Sequence, residues 1–199
     1  MARIASTTPP PDSVMPARHP KAPVIGSQIP SHFGYCFGCG ELHKTGLHLI
    51  AFAGQGLDLT GKFTVTENHQ GAPGLAHGGL LSLAFDEALG KLMWLIRTPA
   101  VTGRLETDFL LPVPMGRTLY INARITGQSG RKIYTQAEGR LDSPTGEVAV
   151  NAAALFISVP MEHFIKNLTE QYKDHLVEHP ELMAFVDPDF DINPYASFN

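Results

Sequence analysis

The chain has 199 residues, 43% of them hydrophobic, and a net charge of −4. That length suits one compact domain with tails, since single domains usually run about 100–150 residues, and the hydrophobic content suffices for a real core. The mildly acidic balance excludes a general electrostatic attraction to nucleic acid or to an anionic membrane, though not a local basic pocket.

Residues 1–30 hold seven of the sixteen prolines and show no hydrophobic periodicity, so a mobile, Pro-rich tail is expected there. It lacks the apolar core of a secretory signal. Two strand-like runs follow, Leu47–Phe52 and Leu57–Val65, joined by Gly54-Gln55-Gly56, a plausible hairpin turn. The loop His69-Gln70-Gly71-Ala72-Pro73-Gly74 is too rich in Gly and Pro to be regular. His77-Gly78-Gly79 then opens a helical segment to about Arg97, with apolar residues around nearly its whole circumference. Such a helix must be wrapped by other elements. Asp86, Glu87 and Lys91 interrupt it, which argues against a membrane span.

Strands are expected at 104–111, 118–126, 131–141 and 147–159. In 118–126, Leu119, Ile121, Ala123 and Ile125 share one face. The last run is apolar on both faces and belongs inside a sheet. Short turns such as Ser129-Gly130 and Asp142–Gly146 imply an antiparallel meander. Strands, one long buried helix and then a meander make an α+β hotdog fold, an antiparallel sheet wrapped around a central helix, over residues 31–160. Residues 161–199 form an acidic, partly helical extension, with a helix expected over Met161–Val177 and a loop from Pro188. Two cysteines make no disulfide framework, and the expected compartment is the cytoplasm.

Asp86 is the leading candidate for chemistry. An ionised carboxylate among Leu83, Phe85 and Leu89 is costly unless paired or solvated in a cleft. Glu87 stands four residues before Lys91, the spacing of a helical ion pair, and is given that structural role. His77-Gly78-Gly79 comes second. A helix N-terminus offers unpaired N–H groups and a partial positive charge to a developing oxyanion; equally, the glycines suit a tight loop-to-helix entry with His77 as a cap. Together these groups suit thioester hydrolysis. A thiol leaves with little acid assistance, so one carboxylate and one oxyanion donor suffice. The chain has no Gly-x-Ser-x-Gly elbow, phosphate-binding Gly-x-x-x-x-Gly-Lys loop or His-Glu-x-x-His helix.

The run HGGLLSLAFDEALG (77–90) resembles the helix signature of hotdog acyl-coenzyme A thioesterases, among them thioesterase superfamily members and bacterial phenylacetyl-type enzymes. The likeness spans roughly 33–159 and includes CFGCGELHKTGL (36–47), VTGRLETDFLLPVP (101–114) and GRKIYT (130–135). It implies Asp86 as nucleophile or general base, Gly78 as the amide that polarises the thioester carbonyl, His77 in support, and Thr102 orienting the attacking water. Family members often carry an Asn before the His-Gly-Gly motif; here Gln70 or His69 stands in that neighbourhood. Gly79 joins the substrate-binding set, and Arg131 and Lys132 are placed in a turn to meet coenzyme A phosphates.

Cys36-x-x-Cys39 with His43 and His48 nominally offers four zinc ligands. The histidine spacing is too compressed for a Cys2His2 finger, so no metal is expected, nor any cofactor beyond the coenzyme A part of the substrate. Two other functions compete: a non-catalytic acyl-coenzyme A binding module, and a hydratase or dehydratase. The latter wants a His–carboxylate pair, and His77 and Asp86 stand about 13 Å apart along one helix. Gly78 and Asp86 are about 12 Å apart by the same measure. A shared site in a homodimer, or in a dimer of dimers, is therefore expected.

Overall fold

The computed structural model describes residues 5–160, 162–166 and 168–179. In chain order the elements are β1 (Gln28–Ile29), β2 (Ile50–Ala53), β3 (Asp58–Thr64), a short 3-10 turn (Glu67–His69), α1 (Gly78–Lys91), α2 (Met93–Ile96), β4 (Ala100–Phe109), β5 (Thr118–Ser129), β6 (Lys132–Leu141), β7 (Val148–Ser158), α3 (Glu162–Ile165) and α4 (Glu170–Glu178). The seven strands make one antiparallel sheet in the order β1-β2-β3-β5-β6-β7-β4. Helix α1 packs on one face of it, the α+β hotdog arrangement. Among the described residues, no helix is long and apolar enough to cross a membrane.

Alternation builds the sheet face. Leu119, Ile121, Ala123 and Ile125 of β5 are all buried, as their spacing requires. Against them α1 sets Leu81, Ala84, Phe85, Ala88, Leu89 and then Leu92. Those positions follow the i, i+3, i+4, i+7 rule of a single buried stripe. The expectation of a helix covered on every side is thereby corrected: Leu83 and Asp86 remain half-buried on an open flank beside β4. Phe85 reaches the sheet because β6 has a glycine opposite it; a Cβ at Gly139 would come within 2.7 Å of the Phe85 ring.

The meander holds for β5, β6 and β7, but β4 pairs with β7 rather than with its sequence neighbour β5. Pro112 and Pro114 in the connection lack the amide that a ladder needs, so the chain crosses to the far side before pairing again. As a result β7 is internal, as expected, and the outer side of β4 has no strand partner among the described residues. Phe109 and Leu110 at its end are exposed.

The described part of the expected tail is docked. Ile29 pairs in β1 and sits in the core. Residues 7–14 run across the outer face of the sheet: the Thr7 hydroxyl donates to Glu106 on β4, and Val14 exchanges two backbone hydrogen bonds with Gln128 on β5. Pro9 and Ser13 lie against Gly127. Tyr134, opposite Gly127, and Leu155, opposite Tyr134, are buried outside the main core. Arg18 donates to the carbonyls of Gly54, Gly56 and Pro23, and His19 N–H to Leu95. Removing residues 1–28 therefore deletes several hydrogen bonds worth about 1 kcal/mol each. The expected outcome is a fall in Tm of roughly 5–10 °C for a domain of this size, read by a thermal melt of the truncated chain beside the full one.

In the C-terminal extension the single helix expected over Met161–Val177 is instead two, α3 and α4. Residues 180–199, including the expected terminal loop, lie outside the described residues.

Candidate active site

Helix α1 starts where the sequence motif places it. His77 is its N-cap, with extended backbone, and its ring nitrogen accepts the Gly79 N–H at 2.9 Å. That bond satisfies one of the helix's orphan donors. It occupies the Gly79 amide and gives His77 a local job as cap. The Gly78 amide makes none of the hydrogen bonds observed and precedes the helix's first satisfied turn. The Phe109 ring lies over Gly78, and a Cβ there would meet it at an ordinary 3.5 Å.

Two turns along, Asp86 projects from the open flank towards β4, where the Thr102 hydroxyl donates to its Oδ1 at 2.7 Å. One turn earlier, Ser82 and Thr107 make the matching hydroxyl pair at 3.0 Å. Strand β4 thus runs antiparallel to α1, threonine against helix side chain. Between Thr102 and Arg104 the β4–β7 register slips by one residue at Gly103. A bulge of this kind re-aims the neighbouring side chain, and here the neighbour is Thr102.

Asp86 and Thr102 share a cleft of about 410 Å³ walled by Trp94, Pro99, Val101 and Phe156, with Phe164 of α3 closing one side. Sequence reading missed these walls, and Phe164 above all, since an isolated aromatic in an acidic extension carries no periodicity. Glu87 forms the expected ion pair with Lys91, at 3.6 Å. Burial pushes the Glu87 carboxyl above its usual range, with Lys91 pulling the other way.

The remaining candidates lie elsewhere. His69 is buried, its Nδ1 bound to the Thr66 amide and its Nε2 3.2 Å from the Gly46 carbonyl. It holds the loop and does not face the cleft. Gln70 Oε1 accepts the Gly74 N–H at 2.7 Å, stabilising the turn that leads to α1. Both His69 ring nitrogens are thus engaged, whereas exposed Gln70 bonds here through its Oε1. Arg131 donates to the Ser158 carbonyl. Lys132 is exposed, and its register partner Ile157 also pairs with Val101. These two basic residues are therefore about 10 Å from the cleft end of β4, two strand spacings away, and do not line it.

Comparison with known proteins agrees with the hotdog fold. Residues 73–147 match the family model described as Thioesterase superfamily, a span that holds the whole of α1, β4, β5 and β6. The acyl-coenzyme A thioesterase THEM4 of Xenopus laevis is 28% identical over 90 residues, covering 45% of this chain and 40% of that protein. THEM4 of Bos taurus is 33% identical over 94 residues, covering 47% and 38%. The chain thus spans about two fifths of the length of the curated relatives it matches. Among solved structures, a thioesterase superfamily protein superposes with a TM-score of 0.51 at 28% identity, covering 55% of each chain. Over residues 73–147 the chain is thus similar to the thioesterase superfamily, on a hotdog fold.

Proposed function

We propose that the protein hydrolyses acyl-coenzyme A thioesters to the free acid and coenzyme A, as a homodimer with two shared sites. The observation that carries this reading is the Thr102–Asp86 hydrogen bond inside an open cleft lined by Trp94, Val101 and Phe156 and, on one side, by Glu87 and Lys91. With its proton given to Asp86, the Thr102 oxygen keeps its lone pairs for a water molecule. Asp86 takes the second proton of that water as it attacks the thioester carbon. The carbonyl oxygen gathers negative charge and is met by a backbone N–H, for which Gly78 at the positive end of α1 is suited. Collapse of the tetrahedral adduct expels the coenzyme A thiolate, and Asp86 returns its proton to the medium.

One chain does not bring Gly78 to its own Asp86, because two helical turns separate them. A twofold partner with an antiparallel α1 does. The half-open flank of α1 and the unpaired outer side of β4, with exposed Phe109 and Leu110, support such a contact, since apolar edge strands are rarely left bare. Lys132, two strand spacings from the cleft, and Arg131 beside it are then offered to the phosphates of a coenzyme A arm that extends out of the cleft.

The test is release of free thiol across a panel of acyl-coenzyme A substrates. An inert protein across that panel, folded and at micromolar concentration, would refute the reading. Within it, Thr102→Val lowers kcat about 10–100-fold through a misplaced water, whereas Thr102→Ser keeps the hydroxyl and most of the rate.

A further inference from the structure

We propose that His32, Cys36, Cys39 and Glu87 hold one tetrahedral divalent metal ion, zinc by the chemistry of its donors, which staples the 30–49 segment to α1. Donor atoms of these four residues all lie within 4.8 Å of one another. Cys36 Sγ is 3.4 Å from Glu87 Oε2, His32 Nδ1 is 3.5 Å from Cys39 Sγ, and His32 Nδ1 is 3.9 Å from Glu87 Oε1. Zinc bonds of about 2.0–2.3 Å give tetrahedral edges of about 3.3–3.8 Å. Two of these separations fall in that range and the third just above it, so small side-chain adjustments within the 4.8 Å group would seat the ion.

The local backbone is shaped for it. Cys36 and Cys39 are free thiols on a tight turn closed by the Gly40 N–H to the Cys36 carbonyl, at 2.8 Å. A Cβ at Gly40 would lie 2.3 Å from the Gly34 carbonyl, and one at Gly38 would lie 2.5 Å from Glu87 Oε2. Neither position admits a side chain, and Gly38 is what allows the glutamate to reach the cysteines. Ser31 Oγ sits 3.2 Å from Cys39 Sγ, a hydroxyl placed to support a bound thiolate.

Charge closes the case. A divalent ion with two thiolates and a carboxylate carries one negative charge, and the buried Lys91 ammonium beside Glu87 balances it. Lys91 also donates to the Pro30 carbonyl at 2.9 Å, tying the same segment to the same helix. The segment needs such a tie. Residues 30–49 contain no helix or strand, and loops beyond about 12–15 residues are uncommon in compact domains unless something orders them. Four protein donors leave no open position, so the ion is structural. It fixes α1 at the residue next to Asp86. The ligand set differs from the one the sequence suggested: His43 packs on the Phe37 ring, and neither it nor His48 joins the group.

The experiment uses the full chain, purified without chelator, and reads metal rather than turnover, so its outcome is independent of the thioesterase proposal. Elemental analysis should find one zinc per chain. Cobalt(II) replacing it should give the visible bands of a tetrahedral site and the near-ultraviolet thiolate charge-transfer band. Chelation should lower Tm. His32→Gln alters an exposed side chain, so the variant folds; its zinc affinity should fall at least tenfold with a changed cobalt spectrum, while a His43→Gln/His48→Gln variant keeps both. A folded protein that contains no stoichiometric zinc and binds no cobalt overturns the proposal. So does a His32→Gln variant with unchanged affinity and spectrum, or loss of the ion in the His43/His48 variant.

Discussion

Asp86→Asn is expected to leave thiol release at about 10⁻²–10⁻⁴ of the parent rate. The substitution is isosteric, and the amide oxygen can still accept the Thr102 hydroxyl's proton at the Oδ1 position, so neither fold nor cleft should change. What disappears is the capacity to take a proton from water. The loss should therefore appear in kcat, with KM nearly unmoved, since the carboxylate acts in the transition state rather than in holding the acyl chain. Thiol release within a factor of two of the parent, from a variant with unchanged Tm, would remove Asp86 from the mechanism.

Mixing two inactive variants should restore activity. If each site takes Asp86 from one subunit and the Gly78 amide from the other, Asp86→Asn and Gly78→Pro damage different halves of it. Proline is suited to this position. Gly78 is the first helical residue, where the missing amide costs no helix bond, and His77 before it has φ −70° and ψ 131°, the extended backbone that proline requires of its neighbour. Each variant alone has both sites broken. After dissociation and random reassembly about half the dimers are mixed and carry one intact site, so about a quarter of parental activity should return. Confirmed subunit exchange with no recovery of thiol release would show that the site is not shared between chains.

The sheet and main helix were legible because their signals are local and periodic. The alternation of β5 and the long apolar run of α1 each need only a window of about ten residues, although apolar residues around nearly the whole circumference hid which stripe of α1 is buried. Strand β4 was legible only from 104, because the extra residue at Gly103 breaks the alternation just where the strand begins pairing at Ala100. Its place beside β7 is a long-range choice that no window contains. At the site, Asp86 stood out as a carboxylate in an apolar run, whereas Thr102 looked like any β-branched strand residue and was found through resemblance alone. Glu87 was matched to Lys91 by spacing, and the match holds, but its other neighbours, His32 and Cys36, lie 55 and 51 positions away in sequence. The docking of residues 5–30 left no pattern because most of its bonds are made to carbonyls, which every residue possesses.

That docked segment also has a place in time. A ribosome releases residues 5–20 before the strands they dock on: Arg18 waits 36 residues for Gly54 and Thr7 waits 99 for Glu106. Val14 needs Gln128, on a strand completed after α1 and β4 have emerged. A stretch made before its partners therefore finds its seat only once those later strands have formed. Synthesis order and assembly order run opposite to each other. A pause in translation before β5 would leave this stretch unattached, and Tyr134 reaches its covered state only when the whole domain is out.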